Sequence, residues 1–126
     1  MTSCFMVPPK TSPAYAPDAV LHTPLSPPVR GAEAIRRHDD GIRSAFPDAR
    51  LTTSRPVVRG DQTALEWEYQ GTNAGPLALP DGIMSATNRP VTLRGASFLR
   101  FTADGLIAEE HRYFDVCSLL EQLGVS

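Results

Sequence analysis

The spacing of apolar residues changes near residue 50, and this change constrains the fold more than any other feature of the sequence. Before it, one apolar face recurs at helical spacing over residues 32–46, formed by Ala32, Ile35, His38, Ile42 and Ala45. After it, the period is two, as in Leu65, Trp67 and Tyr69. A helix followed by a run of strands predicts an α+β domain rather than alternating βα units.

Four segments after the change are predicted strands. They cover residues 51–58, 63–71, 91–102 and 106–114. Pro56 places the first at an edge or a bulge, and Asp104-Gly105 is typical of a hairpin turn. A last helix follows over residues 116–123, with Asp115 as its N-cap. We therefore expect a curved antiparallel sheet with helices on its concave face, enclosing one small-ligand cavity.

The first thirty residues are rich in proline, with seven of the twelve prolines of the chain. Because proline interrupts helices and inner strands, residues 1–14 are predicted to be an irregular tail before a domain over residues 15–126. Residues 18–22 are compatible with a short strand. Pro24, Pro27 and Pro28 predict a loop after it.

Composition narrows the function. The length of 126 residues fits one domain, and a net charge of −2 gives no electrostatic case for binding nucleic acid. No apolar run is long enough to span a membrane, and no signal peptide is recognisable. Cys4 and Cys117 form no disulfide framework and favour reduced thiols in a cytoplasmic protein. No histidine spacing such as HxxxH or HxxE is present, so we expect no metal and no cofactor.

Seven short segments occur in an order that matches a known family. They are YAPDAVLH (15–22), VRGAEAI (29–35), AFPD (45–48), WEYQGTNAG (67–75), ATNR (86–89), DGLI (104–107) and YFDVCSLLEQLG (113–124). Together they resemble the SnoaL-like polyketide cyclase branch of the NTF2-like superfamily. The resemblance implies the α+β cone and a homodimer formed through the sheet. It does not fix the reaction, because relatives include cyclases, isomerases, epoxide hydrolases and non-enzymatic binders.

Relatives usually begin with a long helix that covers the mouth of the cone. Here about fourteen proline-rich residues precede the match, so this helix is expected to be short or missing. Three explanations stay open. The true start lies upstream, the cavity is partly uncovered, or another subunit covers it.

The resemblance also places candidate site residues. The working aspartate of the cyclases falls on Arg112, and a histidine two positions earlier falls on Glu110. Hydrogen-bond donors on the neighbouring strand fall on Ala96 and Phe98, and a helix asparagine falls on His38. The usual acid/base residue is therefore absent.

We take His38, Glu110 and Arg112 as the catalytic candidates. The faces of the last strand are both mixed, so hydrophobicity does not orient it, but the family register turns Glu110 and Arg112 inward. His38 and Glu110 would form an acid/base couple, and Arg112 would orient an anion. The alternatives are a core histidine and an ion pair at the rim.

The candidate ligand-binding residues are His22, Trp67, Tyr69, Ala96 and Phe98. They give two main hypotheses for a small hydrophobic partner. The first is a cofactor-independent cyclase or isomerase acting by proton transfer on a polyketide, terpenoid or steroid-like molecule. The second is a non-catalytic binding protein of the same fold. Water addition to an epoxide is a weaker third option, since it would need two aspartates beside the arginine.

Overall fold

The computed structural model describes residues 14–125, which form nine strands and two helices. In chain order they are β1 (Tyr15–Thr23), β2 (Ser26–Arg30), α1 (Ala32–Ala45), β3 (Arg50–Thr53), β4 (Val57–Arg59), β5 (Gln62–Thr72), β6 (Leu77–Leu79), β7 (Gly82–Met84), β8 (Pro90–Phe101), β9 (Ile107–Phe114) and α2 (Val116–Gln122). The α+β class expected from the sequence is confirmed, with a curved open sheet and two helices.

Seven strands form one sheet in the order β2-β1-β9-β8-β5-β3, with β4 also paired to β5. All pairs are antiparallel except β1 with β9, which run parallel. The long pairings of β8 with β5 and β9 fix the register of the centre, for example Leu65 beside Ser97 and Ser97 beside Arg112. Strands β6 and β7 form a separate hairpin.

One face of the sheet packs against the helices, and we call it the inner face. In β5 its residues Leu65, Trp67 and Tyr69 are buried, whereas the intervening Glu66 is exposed. The helices supply apolar side chains to the same core, among them Ile42 from α1 and Leu119 from α2. Burial of each large apolar side chain contributes roughly 1.5–3 kcal/mol. The hydrophobic effect on these alternating residues therefore determines which face of the sheet packs against the helices.

Glycine at position 95 is needed for the packing of Trp67. Gly95 pairs with Trp67 across β5 and β8, and a Cβ atom there would lie 2.3 Å from Cζ2 of the Trp67 ring. That distance is far below van der Waals contact, so any larger residue would displace the indole from the core.

The two predicted helices are confirmed in position. Helix α1 begins one residue after Gly31 and ends at Ala45, before Pro47. At the start of α2, Oδ1 of Asp115 accepts hydrogen bonds from the backbone N–H groups of Cys117 (2.9 Å) and Ser118 (3.3 Å), as an N-cap does. Among the described residues, neither helix has the length and apolar character of a membrane-spanning segment.

Some strand predictions were wrong in detail. The proline-rich loop after residue 23 contains strand β2, which tolerates Pro27 and Pro28 because it lies at the edge of the sheet. The strand predicted over residues 51–58 is divided at Pro56 into β3 and β4. The segment between the predicted strands 63–71 and 91–102, where no strand was expected, contains the β6–β7 hairpin. The predicted tail, apart from Ala14, lies outside the described residues.

Candidate functional site

A buried arginine bridges two carboxylates on the inner face. Glu110 and Arg112 occupy alternate positions of β9 and are 0% and 2% exposed. Arg112 donates from Nε to Oε2 of Glu110 (2.9 Å), and from its two terminal nitrogens to Oε1 of Glu110 (3.3 Å) and Oδ1 of Asp39 (2.9 Å). The structure thus buries the Glu110–Arg112 pair instead of placing it at the rim.

Asp39 of α1 is a partner of Arg112 that the sequence analysis did not identify. It is only 5% exposed, between the buried residues Ile35 and Ile42. Its spacing of four and three residues from these neighbours does put it on the buried face. A carboxylate is tolerated there because Arg112 neutralises it, and the sequence pattern gives no sign of that pairing.

Two further side chains donate hydrogen bonds to Glu110, and the sequence analysis missed both. The Tyr15 hydroxyl donates to Oε1 (2.5 Å) and the Ser97 hydroxyl donates to Oε2 (3.3 Å). Ser97 also accepts a hydrogen bond from Nε1 of Trp67 (3.1 Å). Alternation with Leu99 could have identified Ser97 as inward. Tyr15 was harder to find, because the register of β1 against β9 shifts between Tyr15 and Val20.

The electrostatics of this network keep Arg112 and Tyr15 each in one protonation state. Burial alone would lower the pKa of Arg112, but Glu110 and Asp39 outweigh it and hold the pKa well above its usual value. Burial, followed by the charge of Glu110, raises the pKa of Tyr15 well above its usual value. Arg112 is therefore a cation and Tyr15 a hydroxyl donor at neutral pH. Glu110 accepts hydrogen bonds from three side chains, so its carboxylate is held in place on the inner face.

An apolar cavity of about 30 Å³ lies between the inner face and the helices. Its wall includes Leu25, Ile42, Trp67, Tyr69, Leu77 and Arg112. Ligand pockets for small molecules usually measure roughly 300–1,000 Å³. As it stands, this cavity has room for water but not for a fused-ring molecule.

A groove of about 240 Å³ lies beside this cavity, between α1 and the β6–β7 hairpin. Leu25, Ile42 and Leu77 border both spaces, and His38 lines the groove. Within residues 14–125, Nε2 of His38 and the hydroxyl of Tyr69 are buried without a hydrogen-bond partner. His38 at the groove and Tyr69 at the cavity thus each carry a polar atom with unused hydrogen-bonding capacity.

Burial sets the protonation state of both groups. It is the main cause that lowers the pKa of His38, and Arg112 lowers it further while Asp39 and Glu110 act in the opposite direction. Burial also raises the pKa of Tyr69 to about 12. At neutral pH, His38 is therefore a neutral imidazole and Tyr69 a hydroxyl.

Three of the candidate ligand-binding residues do not line the apolar cavity between the inner face and the helices. Ala96 and Phe98 face away from the helices, because Ser97 between them is buried on the inner face, and Phe98 is 51% exposed. His22 likewise points away, since the adjacent Leu21 is fully buried. The alternation of the strands contradicts their assignment to the cavity wall, and we call the face they occupy the outer face.

His22 lies instead in a cluster with Glu109 and His111 on the outer face. Nε2 of His22 lies 3.1 Å, and Nε2 of His111 3.4 Å, from Oε2 of Glu109. The two imidazole rings stack at 4.3 Å with an interplanar angle of 8°. Parallel pairing of β1 with β9 places the histidines side by side, which no spacing along a single segment reveals.

Comparison with known proteins identifies the family. A sequence profile of the SnoaL-like domain matches residues 9–110, most of the chain. The chain belongs to the SnoaL-like family. A search of curated proteins returns no significant match.

Solved structures with the SnoaL-like or related fold superpose well on this SnoaL-like protein. A candidate SnoaL-like polyketide cyclase from Jannaschia sp. CCS1 is 16% identical, with a TM-score of 0.78 over 90% of this chain and 75% of that one. TsrD from Streptomyces laurentii is 24% identical, with a TM-score of 0.75 over 90% and 79%. IdmH from Streptomyces antibioticus, a candidate polyketide cyclase, is 27% identical, with a TM-score of 0.67 over 89% and 83%.

Proposed function

We propose that this SnoaL-like protein binds a small hydrophobic ketone between its inner face and α1, and that it moves a proton on that ligand without a cofactor. The observation that carries the proposal is a pair of buried polar atoms, Nε2 of His38 and the hydroxyl of Tyr69, that have no hydrogen-bond partner among the residues the structure describes. Burying a polar atom without a partner costs free energy, and a ligand that bonded to both atoms would recover it.

The ligand space requires a movement of Leu77. This residue borders both the cavity and the groove, as Leu25 and Ile42 do, and it lies in the β6–β7 hairpin, which is hydrogen-bonded as its own two-stranded sheet. Displacing Leu77 would merge the two spaces to a size near the lower end of ordinary ligand pockets. A compact, mostly apolar molecule of a few rings would fit this space best.

The chemistry follows from the protonation states. A neutral imidazole with a free Nε2 lone pair can take a proton from the carbon next to a carbonyl group. The Tyr69 hydroxyl can donate to the carbonyl oxygen as that oxygen gains negative charge. Polyketide, terpenoid and steroid-like ketones carry such carbons, and two of the similar structures are described as candidate polyketide cyclases.

Glu110 and Arg112 take supporting parts in this proposal. Arg112 lines the cavity, so its positive charge favours an anionic intermediate there. Glu110 and Asp39 hold the guanidinium in place. Trp67 supplies part of the apolar floor beneath the ligand.

A non-catalytic binding protein is the second candidate. It is favoured by Arg112, which stands where the resemblance places the working aspartate, and by Glu110, whose oxygens already accept bonds from three side chains. In that case His38 and Tyr69 would only hydrogen-bond the ligand.

We also propose that the protein forms a homodimer and is cytoplasmic. Phe98 and Tyr113 are 51% and 53% exposed on the outer face, and their rings contact each other at a centroid distance of 5.9 Å. A homodimer formed through this face would cover them. The exposed free thiol of Cys117 fits a reducing, cytoplasmic environment.

Hydrogen–deuterium exchange tests the reaction. The probe is 1-tetralone, a fused-ring ketone, incubated with the protein in D₂O, and proton NMR follows loss of the signal beside the carbonyl. We expect the wild type to accelerate exchange, His38→Gln to abolish the acceleration, and Tyr69→Phe to weaken it by roughly tenfold or more. Saturable binding with no accelerated exchange would overturn the enzyme and support the binding protein. Absence of both would overturn both candidates for this class of ligand.

A further inference from the structure

The cluster of His22, Glu109 and His111 on the outer face has the composition of a metal site. All three ligand atoms lie within 4.8 Å of one another. The two Glu109 distances, 3.1 and 3.4 Å, can be compared with tetrahedral zinc. Zinc bonds of 2.0–2.1 Å at tetrahedral angles separate neighbouring ligand atoms by about 3.3 Å, which matches both contacts of Glu109. The nitrogens of the two stacked histidines, which lie within 4.8 Å of each other, would have to turn toward the ion to share it.

We propose that His22, Glu109 and His111 bind a divalent transition-metal ion of the zinc type on the outer face. The side chains are 35%, 34% and 39% exposed, so an ion can reach them from solvent. Two imidazoles and one carboxylate are ligands that zinc and its neighbours in the first transition row accept. Three protein ligands leave the fourth tetrahedral position open toward solvent.

The surroundings hold the three ligands in place. The ring of His111 stacks between those of His22 (centroid distance 4.3 Å) and Tyr113 (6.3 Å), with interplanar angles of 8° and 13°. Arg100 lies 3.7 Å from Oε1 of Glu109, the oxygen that does not face the histidines. Neighbours that fix ligand orientation in this way commonly support metal affinity, although the charge of Arg100 works against the ion.

All three ligands come from one chain, and the proposal therefore does not depend on a dimer. It is also independent of the ligand space on the inner face, since the sheet separates the two.

Zinc titration of the tag-free protein tests the site. By isothermal titration calorimetry, we expect the wild type to bind one Zn²⁺ per chain and Zn²⁺ to raise the melting temperature. Glu109→Gln keeps the size of the side chain and should weaken binding by more than about 100-fold, the upper range seen when an outer-shell partner is lost. His22→Gln and His111→Gln should do the same.

Matched controls come from carboxylate and imidazole groups outside the cluster. Glu68→Gln on β5 and His38→Gln on α1 should bind Zn²⁺ as the wild type does. Co²⁺ should give the intense visible absorption of four-coordinate cobalt in the wild type and lose it in Glu109→Gln. If a histidine variant does not fold, Glu109→Gln decides alone. Absence of saturable Zn²⁺ binding by the wild type, or unchanged binding by Glu109→Gln, would overturn the site.

Discussion

Strand β9 carries two pairs of similar residues, one on each face, and they have different environments. Glu110 and Arg112 on the inner face are 0% and 2% exposed, whereas the side chains of Glu109 and His111 on the outer face are 34% and 39% exposed. The inner pair is enclosed by partners from β1, β8 and α1. The surroundings of an ionisable pair, rather than its chemistry, therefore decide whether the pair supports the fold or remains accessible to a ligand.

Removing the buried cation should have the largest effect. In Arg112→Met, Glu110 and Asp39 lose their shared counter-charge in the core, and loss of one partner of a buried ion pair costs about 3–5 kcal/mol. Urea denaturation measures the change in the free energy of unfolding. The matched outer-face variant Arg100→Met loses a solvent-exposed pair with Glu109 and should change stability by less than about 1 kcal/mol. Equal losses of unfolding free energy in the two variants would contradict the difference between the inner and outer faces.

A smaller difference in stability is expected between loss of the Tyr15 hydroxyl on the inner face and loss of the Tyr113 hydroxyl on the outer face. Tyr15→Phe removes one donor to Glu110 and keeps the ring, and a hydrogen bond to a charged group contributes roughly 1.5–3 kcal/mol. The control is Tyr113→Phe on the outer face, where the exposed hydroxyl should contribute less than about 0.5 kcal/mol. Thermal and urea unfolding of both variants would reveal the difference, and a harmless Tyr15→Phe would contradict the network.

The pH dependence of stability tests the burial of His38 on the inner side of the sheet. Burial lowers the pKa of His38 in the folded chain, so below its ordinary pKa of about 6.5 the unfolded chain binds more protons than the folded one. Stability should therefore fall as the pH falls below about 6.5. Urea unfolding between neutral pH and the acid range should show this loss in the wild type and a smaller loss in His38→Gln. Identical curves would show that His38 is not buried as a neutral imidazole.

The sequence predicted the elements better than their contacts. Periodicity located α1, β5 and β8, because burial repeats along each element with a fixed spacing. The Asp104-Gly105 turn and the Asp115 N-cap located β9 and α2. It could not pair Asp39 with Arg112, since they lie 73 residues apart and only the folded sheet brings them together. The parallel contact of β1 with β9 was equally inaccessible, and so was the His22–Glu109–His111 cluster that depends on it.

The family resemblance also had a limit set by strand alternation. It gave the inward register of Glu110 and Arg112, but its transfer onto β8 selected Ala96 and Phe98, which face outward, instead of Ser97 between them. A shift of one residue in a strand exchanges the two faces completely. Alternation within β8 itself, with Leu93 and Leu99 buried, is the signal that corrects it.

NMR of the three histidines during titration with 1-tetralone tests the central claim most directly. The chain has only His22, His38 and His111, and long-range proton–nitrogen spectra can observe the ring nitrogens of each. A ligand between the inner face and α1 should shift the His38 signals in a saturable way and leave those of His22 and His111 unchanged. Saturable shifts at the outer histidines with an unchanged His38 would place the ligand on the other face and contradict the account.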